Sequence, residues 1–405
     1  IEVVNRAKEE ALIIDGKTVD KNQRQSMFIM TPFSKLSGTI ERSDGSTERV
    51  TVKIGGYLKL NCIVKIGRKT VLRESLEIEP LPWEHKEKIV PFVEKQIQTH
   101  QKIVDDTLPD EDLFYGENEL RFVSGLFDRL MMDEVPTPFY VKKLLKLFQR
   151  QIENPTTTNR KKTYEHIIFD NIASYGPKFI ESFQQATWDE TGVQREALWL
   201  LEHAAHREVV KFAITVLGCT NCEAYKSLLM TIGMHEEFTQ YVVFALKQGT
   251  TNANENIWKL AQSVFGWGKI AAVEALEADT PEIKQWLLLH GYKNEILIDH
   301  LALTCAIKGE LHQALLKDMI SKPLYDGASR IIQALITDNA PRVVHDYPHV
   351  GIALSRFIFH AKTHCQTLED FYLIIEINEF LNENKDEVFS GQDFQFIQQD
   401  IQQMI

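Results

Sequence analysis

From residue 118 to the carboxy terminus, apolar residues recur at helical spacing, and the runs are broken at short intervals by a capping residue, a glycine or a proline. No strand-like alternation intervenes. A chain written this way has to stack helices against helices, because each amphipathic run has only other helices to cover its apolar stripe. The runs lie near 118–132, 137–152, 159–172, 176–187, 193–204, 206–217, 221–232, 235–248, 254–264, 267–277, 281–289, 294–307, 310–319, 325–336, 349–361, 367–382 and 393–404. Gly218, Gly233, Gly249, Gly266, Gly291 and Gly309 each follow such a run, where a left-handed residue would close a helix. Asp279-Thr280-Pro281-Glu282 reads as a start, with a capping side chain followed by proline in the first turn.

Ahead of this region the grammar differs. Residues 1–26 read as a short helical pattern, Ile1 to Ile14, followed by a polar linker. Residues 27–80 alternate β-branched and polar positions, with turns at Ser43-Asp44-Gly45-Ser46, Gly55-Gly56 and Gly67-Arg68-Lys69. Strands are expected near 28–31, 37–42, 47–54, 57–65 and 70–76, forming a small barrel or meander. The prolines of Glu79-Pro80-Leu81-Pro82-Trp83 end that module. Residues 81–117 supply an amphipathic helix, Lys86 to Asp105, and an acid-rich connector read as solvated. That connector lacks the Asp-x-Asp-x-Asp-Gly loop that calcium requires. Residues 118–405 are the helical repeat region. The fold class is therefore mainly α, a helical-hairpin solenoid preceded by a small antiparallel β module.

Helix pairs recurring without strands between them are the mark of an α-solenoid, with a compact bundle as the competing architecture. The stretch Gly266-Trp267-Gly268-Lys269-Ile270-Ala271-Ala272-Val273-Glu274-Ala275-Leu276, followed by Glu282-Ile283-Lys284-Gln285-Trp286-Leu287-Leu288, resembles HEAT and armadillo-type repeats in its order of turn, helix, capped turn and helix. That resemblance implies a scaffold or a ligand-binding surface. A few proteins of the class are enzymes, among them the di-iron deoxyhypusine hydroxylases with repeated His-Glu dipeptides. Similar bacterial helical proteins carry a limonene hydroxylase label.

Chemistry is sparse. Glu202, His203, His206 and His235 are the candidates for a metal, but His235-Glu236 is the one His-Glu dipeptide, so the hydroxylase pattern does not carry over. No haem motif and no GxGxxG fingerprint occurs to supply a redox cofactor, and the expectation is no cofactor and no catalytic residue. Cys219-Thr220-Asn221-Cys222 has the spacing of a redox pair or half a zinc site. It lacks a βαβ context and a second CxxC, which leaves two structural cysteines in an inter-helix turn. His360, His364 and Cys365 share a helix end without an HExxH pattern. Gly266-Trp267-Gly268 reads as a tight corner with the indole packed over it.

Charge gives more. The net charge is −12, which argues against nucleic acid as the partner of the whole surface. Residues 27–76 nevertheless hold nine bases and four acids, while residues 77–405 carry −17. The first could contact a phosphate backbone through Arg42, Arg49, Lys53, Arg68 and Lys69. The second suits a basic protein segment. Tyr57 alone does not make a base-stacking platform. Five sparse cysteines do not form a disulfide framework, and no apolar run approaches the length of a membrane span, so the reading is a cytoplasmic, bacterial-type scaffold without a membrane partner. The first residue, Ile1, leaves a native start upstream open.

Overall fold

The computed structural model divides into two units, Ile1–His85 and Lys86–Ile405. It describes every residue except 7–8, 24–32, 56–58, 78–80, 117–119, 132–137, 295–297, 337–345, 385–390 and 405.

The first unit is all β. Strands β1 (Glu2–Arg6), β2 (Glu9–Ile14) and β3 (Lys17–Gln23) form one antiparallel meander. Strands β4 (Phe33–Glu41), β5 (Thr47–Gly55), β6 (Lys59–Ile66) and β7 (Lys69–Glu77) form a second. The helical expectation for residues 1–14 and, over residues 15–23, the linker expectation for 15–25 are corrected here; residues 24 and 25 lie outside the described residues. The decisive local signal is Asp15-Gly16, which takes positive φ at both positions (49° and 77°), as a two-residue hairpin turn demands. The expected strand at 28–31 lies outside the described residues; the other four expected strands correspond to β4–β7. Leu12 and Ile14 from the first sheet join Leu36, Val50, Val52, Ile54 and Val64 from the second in one core. Gly38 lets the sheets meet: a Cβ there would lie 2.8 Å from Val19 Cγ2 and 3.0 Å from Ile14 Cδ1.

The second unit is helical. It runs α1 (Ile89–His100), α2 (Glu111–Tyr115), α3 (Leu126–Met131), α4 (Pro138–Glu153), α5 (Thr157–Ile167), α6 (Ile172–Gln184), α7 (Glu190–His203) and α8 (Arg207–Gly218). It continues through α9 (Lys226–Gly233), α10 (Glu236–Gly249), α11 (Ala253–Ala261), α12 (Gly266–Ala275), α13 (Pro281–Trp286), α14 (Ile298–Lys308) and α15 (Leu311–Leu315). The last helices are α16 (Lys322–Ile336), α17 (Val350–His364), α18 (Leu368–Glu383) and α19 (Gly391–Gln402). Successive hairpins pair α7 with α8, α9 with α10 and α11 with α12, while α8, α10, α12, α14 and α16 pack in sequence order. Thr280 caps α13 by accepting from the Ile283 N–H, with Pro281 at the first helical position.

Most of the glycines act through space rather than backbone freedom. Of the six read as left-handed closures, only Gly266 has positive φ, and it begins a helix. At Gly218 a Cβ would stand 2.6 Å from Ala245 Cα, and at Gly233 it would stand 2.8 Å from Val242 Cγ1. These residues let α8 and α9 lie close against α10. Gly268 plays the same part, 2.5 Å from Thr239 Oγ1.

Turns in the row are tied to one another by side chains. On one edge Glu190 Oε1 accepts the Asn221 N–H (2.8 Å), Glu223 Oε2 accepts the Thr251 N–H (2.7 Å), and Asn254 Oδ1 accepts the Glu277 N–H (2.8 Å). On the other edge Glu208 Oε2 accepts the Ile172 N–H (2.7 Å), Glu236 Oε2 accepts the Trp267 N–H (3.2 Å), and Asn294 Oδ1 accepts the Gly266 N–H (2.7 Å).

Candidate functional site

Every residue of α8 is buried, including Arg207, Glu208 and Lys211 in its first turns. Unpaired charges at such depth would be prohibitive, so the surrounding elements must deliver counter-charges. They do. The Lys211 ammonium sits 2.7 Å from Asp128 of α3, 3.0 Å from Glu208 one turn back, and 2.6 Å from Glu237 of α10. Arg207 is bound by Asp110 and Glu111, lies 3.7 Å from Glu237, and stacks over the Phe114 ring at 4.4 Å. Asp128 also accepts from Asn171 Nδ2 (2.9 Å) and the Tyr241 hydroxyl (3.0 Å), and Glu237 accepts from the Gly125 N–H (2.9 Å).

Five carboxyls thus face two bases. Burial disfavours ionising Glu208, and the adjacent Asp128 adds to this; Lys211 opposes both, and the net result pushes the carboxyl up to about 7. Burial acts on Glu237 in the same sense, but Lys211 and Arg207 outweigh it and hold the carboxyl low. The two bases remain firmly charged, because Asp128, Glu208, Glu237 and Asp110 more than offset their desolvation. The Lys211 ammonium fills the place between Asp128, Glu208 and Glu237 where a bound cation would stand. The cluster locks α2, α3, α8 and α10 together.

Asp110 and Glu111 correct the solvated reading of the acid-rich connector. Asp110 is 1 % exposed, and its segment folds back onto α8. The pattern Arg207-Glu208-x-x-Lys211 was the available signal: three charges in the first turns of an otherwise apolar helix.

The weak metal candidates are not brought together. Glu202 is exposed, while His203 stacks on Trp199. His206 occupies the N-cap position of α8 without a side-chain cap and bonds the Tyr164 hydroxyl at 2.9 Å; burial and nearby Lys86 push its pKa down to about 4. His235 caps α10 by accepting from the Glu237 N–H, and burial pushes it down to about 4 as well. The Asp106 backbone lies beside the buried ring and, with Glu237, partly opposes that shift. Among the described residues, no group of three or more His, Cys, Asp or Glu side chains is arranged to hold a metal ion.

The remaining motifs have structural partners. Burial pushes the Cys219 thiol up to about 12 and that of Cys222 up to about 11, the reverse of a redox-active pair. His360 bonds the Leu315 carbonyl at 2.9 Å, and His364 bonds that of Ile320 at 3.1 Å. Trp267 packs beneath Arg129. In the β unit, Arg42 is paired with Glu48, Arg68 lies in the turn between β6 and β7, and Lys69 stands opposite Ile66. Arg49 and Lys53 alternate with buried Val50, Val52 and Ile54 on the outer face of β5.

At the opposite ends of α8 and α10 from the buried cluster, an open groove of about 550 Å³ runs over three successive turns, past Phe183, Trp188, Glu190, Cys219, Asn221 and Thr251. The carboxy-terminal ends of α6, α8 and α10 meet it, and their carbonyl ends carry partial negative charge.

No protein-family model, no curated protein and no solved structure matches this chain. No helix among the described residues is long and apolar enough to cross a membrane.

Proposed function

We propose that residues 86–405 form an α-solenoid of the HEAT or armadillo kind, working as a non-catalytic scaffold that holds a basic protein segment along its turn edge. The observation that carries this reading is the groove across the α6–α7, α8–α9 and α10–α11 turns, where three helix carboxy termini and Glu190 present negative charge to solvent. The edge-to-edge hydrogen bonds, spaced 31 and 28 residues apart in the chain, support a repeating unit of hairpin size. The charge of residues 77–405 favours a basic partner. Five free thiols suit a reducing compartment, and the reading places the protein in the cytoplasm.

The test measures the full chain against a lysine- and arginine-rich peptide of about 20 residues and an acidic peptide of equal length. The basic peptide should bind, weaken with added salt, and lose about fivefold in affinity to the variant Glu190→Gln. Equal retention of both peptides, or of neither, overturns the proposal.

A further inference from the structure

The acidic helical unit contains one sharp inversion of charge. Residues 138–162, spanning α4, the turn after it and the first half of α5, hold seven bases and one acid. Tyr140, Val141, Leu144, Phe148 and Ile152 are buried and turn one side of α4 to the core. At 3.6 residues per turn, Phe139, Lys142, Lys143, Lys146 and Arg150 then fall within about 100° of arc on the opposite side. All five are exposed, Phe139 by 76 %. Lys162 of α5 is exposed too, and Phe169, in the turn that follows α5, is 82 % exposed.

The start of α4 meets the end of α5. Tyr140 stacks on His166 with ring centroids 4.3 Å apart, and His166 Nε2 lies 3.2 Å from the Tyr140 carbonyl oxygen. That contact brings Phe139 and Phe169 to the same end of the helix pair, and the bases run from there along its length. The carboxylates of the pair are occupied: Glu165 is bound to Lys161, and Glu153, at the far end, accepts from Gln149. Asp170, beside Phe169, accepts the Asn171 N–H. Lys142, Lys146, Arg150 and Lys162 are in no ion pair with a described residue. We infer that the α4–α5 face docks on the surface of an anionic phospholipid bilayer, with Phe139 and Phe169 entering the acyl boundary and the bases lying against the headgroup phosphates. This inference stands independently of the scaffold reading of the helical unit.

The rings distinguish a bilayer from other polyanions. A bilayer is the anionic surface that buries protruding apolar side chains in the same act as it neutralises bases. Along the helix axis the two rings stand at the head of the basic row, not interleaved with it as a stacking platform for a nucleic-acid strand would be. Five open grooves of about 340 to about 820 Å³ lie elsewhere on the unit, and no residue of α4 or α5 lines any of them. A bound peptide or single strand is held in such a groove, whereas a bilayer needs a face that stands proud. From Lys142 to Arg150 the bases cover about 12 Å of helix, a row that lies flat on a sheet of headgroups. A peripheral contact needs no spanning helix, and it replaces the expectation of no membrane partner, which rested on the lack of a spanning run.

The test is flotation of the full chain with vesicles of phosphatidylcholine alone or with about 30 % phosphatidylglycerol. The chain should float with the anionic vesicles at about 20 mM salt, stay behind with the neutral ones, and dissociate by about 300 mM salt. The triple variant Lys142→Gln, Lys146→Gln, Arg150→Gln should lose about 100-fold in affinity, since each base near an anionic surface is worth about fivefold. The double variant Phe139→Ser, Phe169→Ser should lose about tenfold while keeping the salt dependence. Removing equal charge from the β unit, as Lys35→Gln, Lys65→Gln, Arg73→Gln, should leave binding within about twofold. The inference is overturned by equal flotation with neutral vesicles, by none at low salt, by unchanged binding in either α4–α5 variant, or by an equal loss in the β-unit variant. Tighter binding to a duplex DNA of about 20 base pairs, or to a poly-glutamate peptide, than to the anionic vesicles overturns it as well.

Discussion

Asp110 holds Arg207 at two points: one carboxylate oxygen accepts the Arg207 backbone N–H at 2.6 Å, and the other accepts Nε at 3.1 Å. The two residues are 97 positions apart in the chain. Asp110 thereby supplies, from a distant segment, a carboxylate at the amino terminus of α8, where the helix dipole favours negative charge. It also neutralises a guanidinium that has no route to solvent.

Removing this carboxylate strands a buried charge. Asp110→Ala should destabilise the helical unit by about 3–5 kcal/mol, measured by denaturant unfolding. Limited proteolysis should accelerate within the exposed stretch 101–107 that leads to it. Unchanged stability would show that Glu111 and Glu237 suffice to hold Arg207.

Lys211→Met should cost a similar 3–5 kcal/mol, because Asp128, Glu208 and Glu237 would then face one another without the central ammonium. Adding Glu208→Gln should recover part of the loss. A double-mutant cycle in which the two changes simply add would refute the coupling.

The Glu208 carboxyl has a folded-state pKa of about 7 against 4.5 for its ordinary value. The native state therefore favours the protonated form. The linked stability is complete below about pH 4.5 and drains away as pH rises through 7. His206 and His235, both lowered to about 4, act in the opposite sense: their contribution is complete above pH 6.5 and is lost as pH falls toward 4. Glu208→Gln should thus remove the decline of stability between pH 5 and 8 while leaving the acid limb in place, as read from unfolding midpoints across pH.

Gly218→Ala forces a Cβ to within 2.6 Å of Ala245 Cα, so α8 and α10 must separate, at about 1–3 kcal/mol. Gly45→Ala meets no atom within 4 Å and suffers only from its φ of 78°, which should cost about 1 kcal/mol. Comparing the two unfolding free energies separates crowding from backbone strain.

The helices after residue 137 were legible because period and capping agree there; Thr280-Pro281 and Thr367-Leu368 mark their starts through side chains that bond the backbone three residues on. The amino-terminal strands were missed because β1 and β2 are short and carry the helix-favouring Glu9-Glu10-Ala11-Leu12, leaving Asp15-Gly16 as the one strong local sign. The buried cluster was invisible for another reason. Its charges come from four segments between Asp110 and Glu237, and no local pattern says that an acidic connector returns to a helix nearly a hundred residues later.

The ties between successive turns have a mechanical consequence. Glu190, Glu223 and Asn254 lace one margin of the row, and Glu208, Glu236 and Asn294 lace the other. Bending the row toward either margin stretches the opposite lacing, and each stretched tie leaves a turn amide without its acceptor. The row is built as a stiff beam rather than a spring.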